Sequence, residues 1–152
     1  MRDSTSLILL SQAHSQAGDD PEALATACRA ADKDPDDFRA PLYAGIYLAQ
    51  LGRYDEARGE LARAAELDGS SPLLHHTLAY VAQQEGKEEE AERHLRTALS
   101  LDPDYVTSRK TLADLCAASG RIPEARRHYE RALALFPDFP EAQEALGRLT
   151  SR

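Results

Sequence analysis

Apolar and small residues recur along the chain at the spacing of an α-helix, with polar residues between them. The clearest sign is a set of alanine pairs seven residues apart, which places both members of a pair on one helical face, two turns apart. The pairs are Ala23 and Ala30, Ala57 and Ala64, Ala91 and Ala98, and Ala125 and Ala132. Because small side chains let helix backbones approach closely, the pattern predicts short helices that pack in pairs.

The helical pattern repeats with a period of 34 residues. Glu-Ala stands at residues 22–23, 56–57, 90–91 and 124–125, and three further columns keep the same step without an insertion. These columns are Gly18, Gly52, Gly86 and Gly120; Ala30, Ala64, Ala98 and Ala132; and Pro35, Gly69, Pro103 and Pro137. A fixed period of this length indicates stacked structural repeats.

Glycine and proline mark where the helices of each repeat begin and end. The glycine column predicts the end of a first helix, because glycine just past a helix adopts the left-handed conformation easily. Pro21 and Pro123 then fit the first turn of a second helix, and Asp20 is placed to cap the earlier of these. Asp34 and Asp102, each followed by proline, predict where second helices stop.

These columns resemble the tetratricopeptide repeat (TPR), a 34-residue helix–turn–helix unit. The leucine column of that family holds Leu10, Ala44, Leu78, Leu112 and Leu146, and the small-residue column beside it holds Ser11, Gly45, Ala79, Ala113 and Gly147. The family's Trp and Tyr columns carry other residues here. The resemblance implies one all-α domain over residues 1–152, a right-handed α-solenoid with repeats at 4–37, 38–71, 72–105 and 106–139. Residues 140–152 are predicted to form a charged capping helix.

Composition and charge limit the functions that such a fold could serve. The 26 acidic and 18 basic residues give a formal charge of -8, and no basic patch stands out, so nucleic acid is not an expected partner. The longest apolar run, Leu7 to Leu10, is too short for a membrane span or a signal-peptide core. We therefore expect no membrane insertion and, by default, a cytoplasmic location.

The sequence lacks the motifs of common enzyme classes, including a P-loop, a dinucleotide fingerprint and a metal-binding His-Glu helix. The acidic run Glu88–Glu90 with Glu92 is the best candidate for acid–base chemistry. We interpret it instead as an ion-paired helix face, because Lys87, Arg93 and Arg96 lie beside it. We expect neither enzymatic activity nor a cofactor.

Histidine and cysteine spacings do not predict a metal site or a disulfide. Adjacent His75–His76 diverge on a helix, and His94 and His128 stand one repeat apart. Cys28 and Cys116 fall in the first and fourth repeats, which do not touch in a solenoid, so two free thiols are expected.

The resemblance also implies a binding site, because the first helices of TPR hairpins line a concave groove that holds an extended or helical peptide. The lining residues implied here are Ile8, Leu9 and Gln12; Arg39, Leu42, Tyr43 and Ile46; Leu73, His76, Thr77, Tyr80 and Gln84; and Lys110, Thr111 and Asp114. An alternative is that Leu42, Ile46 and Leu73 merely pack between repeats. Tyr43 and Tyr80 are better candidates, since an amphipathic ring suits a partner-facing surface.

The leading interpretation is a non-enzymatic scaffold that binds a peptide segment of another protein in this groove. One subset of the family grips chaperone carboxylates with Lys, Asn and Arg, and the matching positions here carry no such clamp, so a chaperone tail is not the expected ligand. Because Leu7–Leu10 makes the first helix apolar on all sides, we expect a second copy or an upstream unit to cover it. Two alternatives are a self-assembling structural module and a regulatory or targeting domain of a larger protein.

Overall fold

The computed structural model describes residues 3–151, which form nine α-helices and no β-strand. The helices are α1 (Ser4–Gln16), α2 (Asp20–Lys33), α3 (Arg39–Gln50), α4 (Tyr54–Leu67), α5 (Pro72–Gln84), α6 (Glu88–Leu101), α7 (Val106–Ala118), α8 (Ile122–Leu135) and α9 (Pro140–Thr150). Consecutive helices α1/α2, α3/α4, α5/α6 and α7/α8 pack as hairpins, each hairpin contacts the next, and α9 packs against α8. The predicted all-α solenoid is confirmed.

The glycine column closes the first helix of every hairpin, as predicted. Gly18, Gly52, Gly86 and Gly120 have φ between 73° and 81°, the left-handed region that only glycine enters without strain. After Gly18, the Asp19 amide donates back to the His14 carbonyl oxygen at 2.9 Å, which completes a Schellman cap.

Asp19 caps the helix that follows Gly18, since its carboxylate accepts from the Glu22 amide at 3.2 Å. The prediction of Asp20 as the cap was therefore wrong by one residue, because Asp20 is already the first helical residue.

Asp34, Asp68 and Asp102 end the second helices of the first three hairpins, and each carboxylate accepts from the amide two residues later. In the fourth hairpin Phe136 takes this place, and its ring is 59% exposed.

The core is built from the small-residue columns and a few large side chains. All eight alanines of the seven-residue pairs are fully buried. Gly45 of α3 lies so close to α4 that a Cβ placed on it would stand 2.7 Å from Cγ of Leu61, which is itself fully buried. The backbone of α3 at Gly45 therefore packs directly against the Leu61 side chain of α4.

Helix α1 is less exposed than its sequence predicts. Leu7 and Ile8 are 1% and 3% exposed and pack with Ala30 and Ala40 inside the chain's own core. Among the large apolar side chains of this helix, Leu9 is the one that is strongly exposed, at 61%. The expectation that the whole helix needs an outside partner is corrected, because α2 and α3 already cover Leu7 and Ile8 and leave Leu9 as the large apolar side chain still open.

Candidate functional site

Two adjoining recesses run across the first three hairpins. The recess between α1 and α3 is lined by Gln12, Ser15, Gln16, Tyr43, Ile46, Tyr47 and Gln50. The recess between α3 and α5 is lined by Ile46, Ala49, Gln50, Leu73, His76, Thr77 and Tyr80. Since Ile46 and Gln50 belong to both, the recesses form one continuous surface, which we call the α1–α5 groove.

The α1–α5 groove is lined by uncharged residues although the chain is strongly acidic. Helices α1 and α5 contain no Asp, Glu, Lys or Arg, and α3 contains only Arg39. The Arg39 guanidinium is held by Asp37, with Nη2–Oδ2 and Nε–Oδ1 distances of 2.7 and 2.8 Å, and it also donates to Thr5. This pairing lowers the pKa of Asp37. The arginine of these three helices is therefore neutralised outside the two recesses.

The floor of the first recess is held in place by aromatic and hydroxyl contacts. The Tyr43 and Tyr47 rings stack with centroids 6.2 Å apart, and the Tyr47 hydroxyl lies 3.2 Å from the Ser11 hydroxyl, which donates to the Ile8 carbonyl oxygen. Burial raises the pKa of Tyr47. The first recess is thus a preformed surface whose buried hydroxyls are paired.

His76 brings an imidazole to the lining of the second recess. Its Nδ1 lies 3.0 Å from the Ser108 hydroxyl, and its ring meets Tyr105 edge to face at 5.9 Å. Burial lowers the pKa of His76, so the imidazole is uncharged at neutral pH. Burial therefore favours an uncharged imidazole in the second recess.

The fourth hairpin presents a different surface from the first three. Lys110 pairs with Asp114 at 2.7 Å, and Asp114 also accepts a short hydrogen bond from the Tyr129 hydroxyl. Burial, reinforced by that hydrogen bond, raises the pKa of Tyr129. Thr111 donates to the Thr107 carbonyl oxygen of its own helix. The polar groups here satisfy one another, and neither recess extends to them.

Seven of the predicted lining residues meet in the α1–α5 groove, namely Gln12, Tyr43, Ile46, Leu73, His76, Thr77 and Tyr80. Ile8 and Leu42 line neither recess, and both are buried in the core at 3% exposure. Leu9, Gln84, Lys110, Thr111 and Asp114 lie outside both recesses, as does Arg39.

Two of the lining residues that sequence reasoning missed could have been found from the repeat columns. Gln16 and Gln50 share a column with the predicted Gln84, so extending that prediction to the earlier repeats would have recovered both. Ser15, Ala49 and Tyr47 share no column with a predicted lining residue. Their place in the recesses follows from how the hairpins stack.

Side chains of α7 and α8 form a cluster with metal-ligating atoms, which the sequence spacing did not predict. Ligand atoms of Cys116, Glu124 and His128 lie within 4.8 Å of one another. Arginines surround them: Arg96 contacts Glu124 at 2.7 Å, and Arg109 Nη1 stands 3.5 Å from His128 Nδ1. Burial also raises the pKa of the Cys116 thiol. This electropositive surrounding and a protonated thiol both disfavour a cation.

His75 of α5 and His94 of α6 occupy the repeat positions that Arg109 and His128 occupy in the next hairpin. His75 and His94 have ring centroids 5.7 Å apart, and His75 Nε2 lies 2.9 Å from the Gly69 carbonyl oxygen. One repeat later Arg109 replaces His75, donating to the Pro103 carbonyl oxygen while contacting His128. The arrangement recurs with an arginine in the histidine's place, which is typical of repeat packing.

The second helices carry ion pairs that join one hairpin to the next. Arg58 of α4 contacts Glu85 at 2.5 Å and Glu90 at 2.7 Å, both in the following hairpin. Glu92 contacts Arg96 and, in the fourth hairpin, Arg121, each at 2.7 Å. The guanidinium of Arg58 lowers the pKa of Glu85 to about 2, and that of Arg121 lowers the pKa of Glu92 to about 2. Glu90 and Glu92 of the acidic run are thus ion-paired, with Arg58 and Arg121 on neighbouring repeats and with Arg96 on the same helix.

Within the part of the chain that the structure describes, none of the helices combines the length and apolar character needed to cross a bilayer.

Comparison with known proteins agrees with this geometry. Two tetratricopeptide repeat family models match, one over residues 8–72 and the other over residues 82–149. No curated protein sequence matches the chain. Among solved structures, MamA aligns with a TM-score of 0.77 at 20% identity, covering 97% of this chain and 81% of its own. PilF of Pseudomonas aeruginosa aligns with a TM-score of 0.88 at 18% identity, covering 96% and 67%.

A third solved structure is that of YrrB, described as a TPR protein with an unusual peptide-binding site. It aligns with a TM-score of 0.72 at 20% identity, covering 98% of this chain and 77% of its own. At these identities the likeness to solved structures shows the fold alone. Together with the family models and the repeated helical hairpins, it establishes that the chain belongs to the tetratricopeptide repeat family of protein-interaction scaffolds.

Proposed function

We propose that the chain binds a peptide segment of another protein along the α1–α5 groove. The observation that carries this proposal is the continuity of two recesses across three hairpins, with apolar and aromatic side chains left partly open. Tyr80 is 39% exposed at the far side of the second recess, although large aromatic rings are usually covered. YrrB, a TPR protein with a peptide-binding site, supports the same use of the fold.

The test starts from short random peptides displayed in a library and selected on the immobilised chain. We expect peptides whose affinity falls at least about thirtyfold when Tyr80→Glu places a charge in the groove, the effect of losing an interface hot spot. Tyr43→Glu is a weaker choice, because the Tyr43 ring also packs against the core.

The matched control is Leu101→Glu, which introduces the same charge at a residue of similar exposure, 42%, on a second helix. Circular dichroism of both variants checks that folding is retained. If no selected peptide distinguishes Tyr80→Glu from Leu101→Glu, the groove is not the binding surface.

A second candidate is self-association through the N-terminal end. Leu9 is 61% exposed, and it occupies the position that Tyr43 takes one repeat later, where the ring packs on the preceding hairpin. We propose that a second copy covers Leu9. Sedimentation velocity should then show a concentration-dependent dimer that Leu9→Glu abolishes, and a monomer at all concentrations would refute it.

A third proposal concerns location. Cys28 and Cys116 are both free, and free thiols persist in a reducing compartment. We therefore propose the cytoplasm, which fractionation of cells would test.

A further inference from the structure

We propose that the segment bound by the α1–α5 groove is extended and uncharged, and that one large apolar side chain of it occupies the recess between α3 and α5. This inference rests on the proposed function and names the chemistry of its ligand.

The recess between α3 and α5 has the character of a pocket for an apolar side chain. Ile46 and Leu73 line it and also pack on the buried cluster that includes Leu61 and Leu74. Their positions are therefore set by the core and do not depend on a ligand. Tyr80 adds an exposed aromatic wall. An aliphatic or aromatic side chain entering here would bury its surface against apolar atoms that are already in place.

Charged side chains of a ligand would find no counter-charge in the groove. Arg39 is engaged by Asp37, and neither recess is lined by Asp, Glu, Lys or Arg. Burying a carboxylate or an ammonium group without a partner costs several kcal/mol. The carboxylate that contacts the lining is that of Asp20, which accepts from the Ser15 hydroxyl at 2.9 Å at the first recess. The recess between α3 and α5 therefore selects against charge of either sign.

Side-chain amides favour an extended segment over a helical one. Gln12, Gln16 and Gln50 line the groove, and each amide offers both donors and an acceptor. A helix satisfies its own backbone groups internally, whereas an extended strand leaves its N–H and C=O groups open to such partners. The glutamines thus match the backbone of an extended peptide and add no charge.

The same library selection separates this inference from the proposed function. The peptides to examine are those that bind the wild type and lose affinity on Tyr80→Glu but keep it on Leu101→Glu. We expect them to share a Leu, Ile, Phe or Tyr and to lack Asp, Glu, Lys and Arg in the stretch around it.

Synthetic copies of one such peptide then give the quantitative test. Replacing its shared apolar residue by Ala should weaken binding about tenfold or more, and affinity should stay constant between about 0.05 and about 0.5 M NaCl, where exposed ion pairs are screened. Gln50→Glu, at an exposed position that should not disturb folding, should also weaken binding about tenfold, because it places a carboxylate at the junction of both recesses.

Two results would overturn different claims. Groove-dependent peptides with conserved charges and salt-sensitive affinity would refute the uncharged ligand while leaving the groove in place. An absence of any groove-dependent peptide would refute the proposed function itself.

Discussion

The two faces of this solenoid treat charge in opposite ways. The first helices of hairpins one to three carry Arg39 as their one Asp, Glu, Lys or Arg residue, and Asp37 neutralises it. The second helices carry most of the charge and use it across hairpins, as when Arg58 holds Glu85 and Glu90. The difference shows that ion pairs of the second helices connect repeats, while the first helices of hairpins one to three present a neutral and partly apolar surface.

The fourth hairpin marks where this contrast ends. Its first helix carries Arg109, Lys110 and Asp114, and Asp114 is engaged by both Lys110 and Tyr129. The α1–α5 groove therefore has a chemical boundary as well as a geometric one.

Disrupting the close contact between Gly45 of α3 and Leu61 of α4 should have the largest effect on stability. Gly45→Ala would place a methyl group 2.7 Å from buried Leu61, so the Leu61 side chain or the two helices must shift. We expect the free energy of unfolding to fall by about 1–3 kcal/mol, the usual effect of overpacking. Urea denaturation followed by circular dichroism measures it.

Gly59→Ala is the matched control, because the space around Gly59 on α4 is open and the change only improves helix propensity. It should stabilise the chain by up to about 1 kcal/mol. Equal destabilisation by both variants would mean that the close approach of α3 and α4 is not what limits residue 45.

Removing the central ion pair of the second-helix face should have a smaller effect. Arg58→Gln leaves Glu85 and Glu90 without their shared guanidinium, and we expect a loss of roughly 1 kcal/mol at low salt that shrinks as salt is added. Thermal unfolding at two salt concentrations measures this loss.

Arg63→Gln, at an exposed position of the same helix, serves as the control for Arg58→Gln and should change stability little at either salt concentration. A loss that does not depend on salt would indicate that the aliphatic part of Arg58 acts through packing.

Acidification should lower stability slightly through groups on both faces, and the two effects should begin at different pH values. Burial lowers the pKa of His76, His94 and His128 below the ordinary value of 6.5, so the unfolded chain binds protons more readily. The stability due to these neutral imidazoles is complete above about pH 6.5 and declines as the pH falls below it. Glu85 and Glu92, with pKa values of about 2, keep their contribution until the pH drops below the ordinary value of 4.5. Urea denaturation at a series of pH values measures both declines.

Peptide affinity measured over the same pH series should distinguish His76, which lines the groove, from His94 on the second helices. Because burial lowers the pKa of His76, protonation below the ordinary value of 6.5 adds a charge to the groove and should weaken binding of an uncharged peptide. A His76→Gln variant should lose this pH dependence, whereas His94→Gln, on the second-helix face, should keep it. Identical pH profiles for the two variants would remove His76 from the groove.

Much of the fold could be predicted from single columns of residues, because local backbone chemistry decides it. A glycine with positive φ ends each first helix wherever the hairpin stacks, and alanines two turns apart face the same neighbour. The error of one residue at Asp20 arose because Asp19 and Asp20 are both good caps, and only the backbone conformation distinguishes them.

The candidate site was less predictable, because exposure is a property of packed neighbours. Ile8 and Leu42 stand at positions that resemble the open groove, yet both are buried, because each packs into a core cluster. Helix α1 is apolar in sequence, but its own hairpin and α3 cover Leu7. Periodicity reports which face a residue occupies and does not report how much of that face a neighbour covers.

The sequence by itself determined the repeat length, the hairpin architecture and the nearly uncharged character of α1, α3 and α5. These properties depend on residue type and on spacing along one helix. Only the tertiary structure decided which lining residues are open, that Ile46 and Gln50 join two recesses into one groove, and that Arg58, Glu92 and Arg121 link separate hairpins. The physical reason is that side chains distant in sequence meet only when hairpins stack, and the angle and separation of that stacking are set by the whole core.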